Sequence, residues 1–527
     1  MGEWRWGLAG WVAEIEGPPM MGLKTVAPEL YINFSLDAAV PQGHLVRQLA
    51  SCVDFSFIRS VVRPLYSHTG QPSVDPVVLF KLALLGYLYN IRSERQLCEE
   101  AALNLAWRWF LGYELTEPIP DHSVLTKARQ RFGPTVYAQF FERVVGLCRE
   151  RGLIQGRRIY VDSTLVAADA SAKSVQSRTL LRQLPGQPAA YLARLEWAPE
   201  AGRSRPDRKR SVTPVGAFVV SRTDPDAALI SHSARQKARL MHKVHMAVDG
   251  GRSRIVTAVT AVPASHGDGQ GLPAILDQHQ VTVGSLPHEA VADTGYATVT
   301  AFQACADRGV VASIPSWSTA NRHGGWDRDQ FVYDAEHDHY VCPQGQQLSR
   351  KQDNLSSRQQ VYRAPFGVCP TCPVRQACGP GLRARTVTRS FDHELLEAAR
   401  SHMQTAAGRA ALRQRKQFIE LVFADAKVRH CMARAQRRGQ DNMLIQALLT
   451  AAAMNLRKLV QFQPPVGAEA AAMRGRPPLQ DALPTVRRLV RWAARAGSAF
   501  TALRCNLLAP HLRRDSTPGL GNSLRVV

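Results

Sequence analysis

Three carboxylates stand where they could do chemistry. Asp162 closes the run Arg158-Ile159-Tyr160-Val161, Asp293 closes Glu289-Ala290-Val291-Ala292, and Glu420 lies inside the apolar stretch Phe418 to Phe423. Phosphoryl transfer with two magnesium ions needs such groups to converge from separate elements, because hard cations prefer oxygen ligands and both ions must reach one scissile phosphate. The runs before Asp162 and Asp293 read as short buried strands. Paired strands lie about 4.8 Å apart, so if these two are neighbours their carboxylates can share a metal. The third ligand must then come from a helix. A carboxylate within an apolar stretch is costly unless it is paired or bound to metal, which singles out Glu420. At helical spacing Lys416 and Lys427 fall near its face, with Arg413 one turn earlier. That face would present one metal ligand flanked by phosphate-binding cations.

Other chemistry-bearing residues weigh less. Asp249 also ends a strand, but Gly250-Gly251 and another apolar run follow, so it reads as a hairpin-turn residue. His242 and His245 are placed to approach a phosphate or metal but read first as structural, and His266-Gly267-Asp268 is ambiguous in the same way, with Asp268 a candidate cap of the following helix. Trp107, Trp109, Trp317 and Trp326 are expected to pack rather than to stack on a base. Cys342, Cys369, Cys372 and Cys378 follow the pattern Cys-x26-Cys-x2-Cys-x5-Cys in a polar, Pro- and Gly-rich region. Four thiolates can enclose one structural zinc, although the irregular second half leaves reduced thiols as the alternative.

The elements that must position these residues follow from the periodicity. Residues 1–26 form a leader for which Met20 or Met21 is an alternative start. Residues 27–152 read as an all-helical domain, with Asp75-Pro76 opening one helix, Ser93 a second, and Asp121 or Ser123 a third. From 153 to 319 the period becomes strand-like, at Arg158 to Asp162, Val244 to Asp249, Ile255 to Val262, Glu289 to Asp293 and Val310 to Ile314. A long polar connection spans about 165–240, and a helix covers Gly271 to His279. Strands alternating with helices predict an α/β fold, a mixed sheet covered on both faces. Residues 320–395 form a polar, Cys-containing insertion. Residues 396–460 supply closing helices, at Gly408 to Val428 and Asn442 to Val460, and 461–527 a basic, partly disordered tail in which Thr485 to Leu507 could be helical.

Composition names the partner class. Sixty-six Lys and Arg against 43 Asp and Glu leave a formal charge of +23, dispersed along the chain. Such an excess attracts polyanions, and counterion release from DNA would supply much of the affinity. No secretory signal is evident, and the most apolar run, Val77 to Ile91, contains Lys81 and is short of a bilayer span. A cytoplasmic protein with reduced cysteines, nucleoid-associated when bound to DNA, is expected.

The segments Tyr160-Val161-Asp162-Ser163-Thr164, Ala292-Asp293-Thr294-Gly295-Tyr296 and the helix through Glu420, Lys427 and Asn455-Leu456 resemble the three catalytic blocks of bacterial insertion-sequence DDE transposases. Order and spacing agree: 131 residues separate Asp162 from Asp293, and 127 separate Asp293 from Glu420. The stretch from Asp75 through Ser93 to Ser123 resembles the helical N-terminal domain of that family, and Thr223 to Ala227 with His242 to His245 resembles its segment between the aspartates. The resemblance implies a ribonuclease H-like catalytic fold, two Mg2+ ions replaceable by Mn2+, and Asp162, Asp293 and Glu420 as catalytic metal ligands. It also implies binding of terminal inverted repeats and target DNA, cutting at element ends, joining by the freed 3′ hydroxyl, and a homodimer in the synaptic complex. Arg413, Lys416 and Lys427 would contact DNA phosphates. One departure is that relatives commonly carry Tyr and Arg where this chain has Arg413 and Lys416. The alternatives are a ribonuclease H-like metal nuclease that does not join, and a non-catalytic DNA-binding descendant of a transposase.

Overall fold

The computed structural model describes residues 34–67, 69, 72–177, 219–231, 237–315, 325–355, 357–379 and 383–462. The chain divides into residues 1–462 and 463–527. The second unit, the leader expected at 1–26, the basic helix expected at Thr485 to Leu507, and Trp317 lie outside the described residues.

Seven helices open the described chain: Leu36–Ala39, Leu45–Cys52, Phe57–Val62, Pro76–Leu88, Glu94–Leu103, Leu105–Leu111 and Ser123–Glu150. Their starts follow the capping chemistry. Asp75 accepts the Val77 N–H at 2.9 Å ahead of Pro76 at the first helical position, and Ser93 accepts the Gln96 N–H at 3.3 Å. Pro76–Leu88 is apolar on every face except at Lys81, whose Nζ donates to the Phe110 carbonyl, and is correspondingly buried. The helix Ser123–Glu150 breaks at Gly133, whose φ of +62° only glycine adopts cheaply, with Pro134 next.

The main sheet has six strands: β1 (Arg158–Ala167), β4 (Ala228–Ile230), β5 (Arg239–Asp249), β6 (Val256–Pro263), β7 (Glu289–Val291) and β8 (Val311–Ser313). Across its width the order is β6-β5-β1-β7-β8, with β4 pairing the start of β5. The β6-β5-β1 half is antiparallel, and β7 and β8 run parallel to β1. β1 continues five residues past Asp162, so this aspartate sits in mid-strand rather than at a strand end. Its extension pairs with β5 as far as Ala167 opposite Met241. A short pair, β2 (Val175–Ser177) with β3 (Val219–Ser221), stands in the connection expected to be irregular.

Both faces of the sheet are covered. On one, Tyr160, Val166, Val244, Met246 and Val248 share a continuous core with the N-terminal helices and with helix Gln440–Gln461. On the other, Ile159, Val161 and Ala290 pack against helices Asp268–Val283 and Val299–Asp307. Gln440–Gln461 is long and apolar enough to cross a membrane by length and composition, but its apolar residues are buried in this core. Its start is held by the segment 223–227: Asp224 accepts the Gly439 N–H at 3.1 Å, and Asp226 the Gln440 N–H at 2.9 Å. Asp224 also bonds His242 at 2.9 Å, both fully buried, so His242 is structural. Asp249 is structural too, accepting the N–H groups of Gly251, Gly156 and Gln155 at 2.8, 2.8 and 3.1 Å.

The polar region expected at 320–395 contains a second, antiparallel sheet of five strands: β9 (Val332–Asp334), β10 (His339–Val341), β11 (Gln347–Asn354), β12 (Gln359–Arg363) and β13 (Thr386–Ser390). Its small core is Phe331, Tyr340, Leu348, Tyr362, Ala364 and Val387. Sequence periodicity missed these strands because most of their residues are polar; in β11 only Leu348 is buried.

Candidate active site

The parallel pairing of β1 with β7 matches Ile159 to Ala290 and Tyr160 to Val291. That register, continued by two residues, sets Asp162 level with Asp293. Each aspartate has one oxygen fixed by local backbone: Asp162 Oδ1 accepts the Ser163 N–H at 2.8 Å, and Asp293 Oδ1 the Gly295 N–H at 2.9 Å. The second oxygens turn toward one cation. Arg415 Nη2 lies 2.8 Å from Asp162 Oδ2 and 3.5 Å from Asp293 Oδ2, and Arg415 is only 7% exposed. Burial lifts the Asp162 carboxyl to about 6; Arg415 and the Ser163 N–H oppose that rise, while Asp293 and Asp268 add to it.

A third aspartate joins from the first turn of helix Asp268–Val283. Its Oδ1 accepts the Ser163 hydroxyl at 2.7 Å and pairs with Lys243 Nζ at 2.9 Å. Burial pushes this carboxyl up, but Ser163 and Lys243 bring it net below the ordinary range. The expected capping role is therefore incorrect: Gly267 is the N-cap residue, and Asp268 faces the site. Behind the aspartates, His245 Nδ1 and the Tyr296 hydroxyl are 2.7 Å apart. Burial lowers the His245 pKa to about 4, so its imidazole is neutral.

The segment expected as one helix, Gly408 to Val428, is helix Ala406–Arg415, a π-helical turn Lys416–Glu420, and helix Leu421–Arg429. It is fastened to β1 by three contacts. Gln414 Oε1 accepts from the Tyr160 hydroxyl at 2.9 Å, Arg415 reaches Asp162, and Phe418 stacks on Tyr160 with ring centroids 4.7 Å apart. Glu420 ends the π turn with its side chain exposed and without a hydrogen bond or ion pair among the described residues, so the burial cost that singled it out in the sequence does not arise. Arg413 and Lys416 are also exposed, and Lys427 is half-buried. The structure thus brings Asp162 and Asp293 together directly and attaches Glu420's segment to the same strand. Arg415 and Lys243 were missed, and Asp268 was singled out without being assigned to the site. For Lys243 the signal was a lone lysine inside an apolar strand, where a charge needs a partner.

In the second sheet Cys342, Cys369, Cys372 and Cys378 line one small cavity of about 40 Å3 with Trp326 and Phe331, and all four are free thiols. Two sulfurs accept backbone N–H groups, Cys342 from Gln346 at 3.4 Å and Cys369 from Arg385 at 3.2 Å. Burial raises the Cys378 thiol, and the other three cysteines add to that rise. Among the described residues, however, the group with three ligand atoms within 4.8 Å of one another is Asp334, His337 and His339 in the β9–β10 hairpin, not these cysteines. Trp107 is buried in the helical core, and Trp109 donates to Asp37 at 3.0 Å under the Arg47 guanidinium.

Residues 34–131 match the family model described as "Transposase domain (DUF772)", and residues 341–460 match "Transposase DDE domain". Glu420 and Arg415 fall inside the second match, while Asp162 and Asp293 precede it. No curated protein matches the chain. Among solved structures, a piggyBac transposase synaptic complex with hairpin DNA aligns at 11% identity and a TM-score of 0.30, over 91% of this chain and 86% of that one.

Proposed function

We propose, from the matches of residues 34–131 and 341–460 to transposase family models, a DNA transposase that binds insertion-sequence ends, cuts them in a metal-dependent reaction, and joins the freed ends to target DNA. The observation that carries this reading is the aspartate pair, Asp162 within β1 and Asp293 two residues past the parallel strand β7, each with one oxygen tied to backbone and the other turned toward a shared cation. The sheet order β6-β5-β1-β7-β8, three antiparallel strands and then two parallel ones, supports a ribonuclease H-like core. The second sheet is read as its insertion.

The donor set fits hard divalent ions. Asp162 and Asp293 offer only carboxylate oxygens, and a cationic nitrogen of Arg415 already occupies the position between them. Asp162, Asp293 and Glu420 would hold two Mg2+ ions, or Mn2+ in their place. When bound, the ions stabilise the charge on the attacking and leaving oxygens of an in-line displacement. The chain's own residues supply the positioning. Ser163 and Gly295 fix the aspartates through their N–H groups, Gln414 and Phe418 hold Glu420's segment on β1, and Arg413, Lys416 and Lys427 contact phosphates. Water attacks first and leaves a 3′ hydroxyl on the element end; that hydroxyl then attacks a target phosphodiester, its oxygen forming the new P–O bond as the bond to the target strand's 3′ oxygen breaks and that oxygen leaves as a hydroxyl. Two copies acting together would bring the two ends into one complex.

The test is cutting and joining of a labelled end fragment, taken from the DNA flanking the gene, by Asp162→Ala, Asp293→Ala and Glu420→Ala. Each should lose both activities by several orders of magnitude while still binding the fragment, because removing one ligand disorganises a shared site. Near-normal cutting by Glu420→Ala would overturn the assignment of the helix. Joining of pre-cut ends separates a transposase from a nuclease.

A further inference from the structure

Ser163 uses both of its donors on aspartates. Its N–H goes to Asp162 Oδ1 at 2.8 Å and its hydroxyl to Asp268 Oδ1 at 2.7 Å, so one residue couples the β1 carboxylate to the start of helix Asp268–Val283. The same Asp268 oxygen is 2.9 Å from Lys243 Nζ. Lys243 is itself only 9% exposed and is locked from the other side by the His266 carbonyl at 2.6 Å. The second Asp268 oxygen faces Gly295: a Cβ there would lie 2.8 Å from Asp268 Oδ2 and 3.0 Å from Asp293 Oδ1. Asp268 is therefore linked to Asp162 through Ser163 and separated from Asp293 by the space beside Gly295.

We propose that Asp268 is a positioning residue of the metal site, acting with its counter-charge Lys243 through the Ser163 hydroxyl to set the rotamer of Asp162. Like the proposed function, on which it rests, this concerns divalent-ion binding. A buried ion pair contributes little net stability, because desolvation offsets the attraction. What Lys243 and Asp268 supply is direction. With Oδ1 held by two donors, the carboxylate cannot rotate, and the Ser163 hydroxyl is pinned to one acceptor. The Ser163 backbone, and with it the N–H that fixes Asp162 Oδ1, is then held from the side opposite the sheet pairing. Without Asp268 the strand would persist through its β5 ladder, but the Ser163 N–H that orients Asp162 Oδ1 would lose its outer support, leaving Arg415 to hold the carboxylate through Oδ2 alone.

The experiment uses the full chain and Mn2+ as probe, with direct binding read from the free Mn2+ signal by electron paramagnetic resonance, and cutting of the end fragment measured against Mn2+ concentration. Asp268→Ala should weaken Mn2+ binding about tenfold and raise the Mn2+ needed for half-maximal cutting by a similar factor, with DNA binding in chelator unchanged. Ser163→Ala should do the same, and the double variant should be no worse than either single one, since both changes break one connection. Wild-type Mn2+ binding in Ser163→Ala overturns the proposal even if Asp268→Ala fails to fold. A double variant whose losses multiply also overturns it, pointing to Asp268 as a ligand in its own right. Failure of the wild type to bind Mn2+ or to cut would instead overturn the proposed function beneath it.

Discussion

At the scale of single residues, Arg415 explains how the aspartate pair survives folding. Two carboxylates turned toward one point repel, and Asp162 is half-buried; a guanidinium between them removes the conflict. Its Nε, buried and without a hydrogen-bond partner, adds a cost that the ion pairs must offset. Replacing Arg415 with Ala is therefore expected to destabilise the metal-free protein by about 3 kcal/mol, the lower end of the range for breaking a buried pair. Part of that cost is relieved by protonation of Asp162, whose carboxyl already stands at about 6. Mn2+ should then recover more stability in the variant than in the wild type, because it takes over the role of the missing cation. Thermal melts in chelator and in Mn2+ check this; identical responses of the two proteins would refute it.

Among the elements, the π turn Lys416–Glu420 decides which cation meets the aspartates. In an unbroken α-helix, positions four apart share a face, which pairs Lys416 with Glu420. A turn closed by i→i+5 bonds is one residue longer and gives that place to Arg415. Position 416 is a lysine, and the arginine that reaches the aspartates comes from the neighbouring position. The second sheet poses a different question, because a core of six buried residues is small for five polar strands. One zinc held by Cys342, Cys369, Cys372 and Cys378 would supply the missing stability once the thiolates close on it. The expected result is about one zinc per chain by elemental analysis, lost in the Cys369→Ser, Cys372→Ser double variant together with protease resistance around residues 340–380. Protein purified without chelator and containing no zinc would exclude it.

For the molecule as a whole, the dominant force toward DNA is charge. The +23 balance is spread over the chain, and one cleft of about 510 Å3 is lined by Arg254, Arg429, Arg457 and Lys458. Each phosphate neutralised releases counterions, so affinity should fall steeply with salt. Between about 50 and 200 mM salt a loss of at least a hundredfold is expected, equally with Mg2+ or with chelator, since these contacts do not use the metal site. Binding isotherms on the end fragment measure it, and an affinity nearly flat with salt would contradict the electrostatic account.

The sequence by itself determined which carboxylates to examine, the helical start, every strand of the main sheet except β4, and the last buried helix, because apolar period and cap chemistry are local properties of the chain. Asp162 and Asp293 were legible for the same reason, each following a short apolar run. Tertiary structure alone decided the rest. Asp268 and Lys243 reach the site through the pairing of β1 with β5 and the packing of a helix across the sheet, contacts between positions 105 and 25 residues apart that leave no periodic trace. Arg415 was hidden by the assumption of 3.6 residues per turn, which one π turn breaks. The five strands of the second sheet escaped because a two-sided polar sheet buries too few side chains to print an alternation in the sequence.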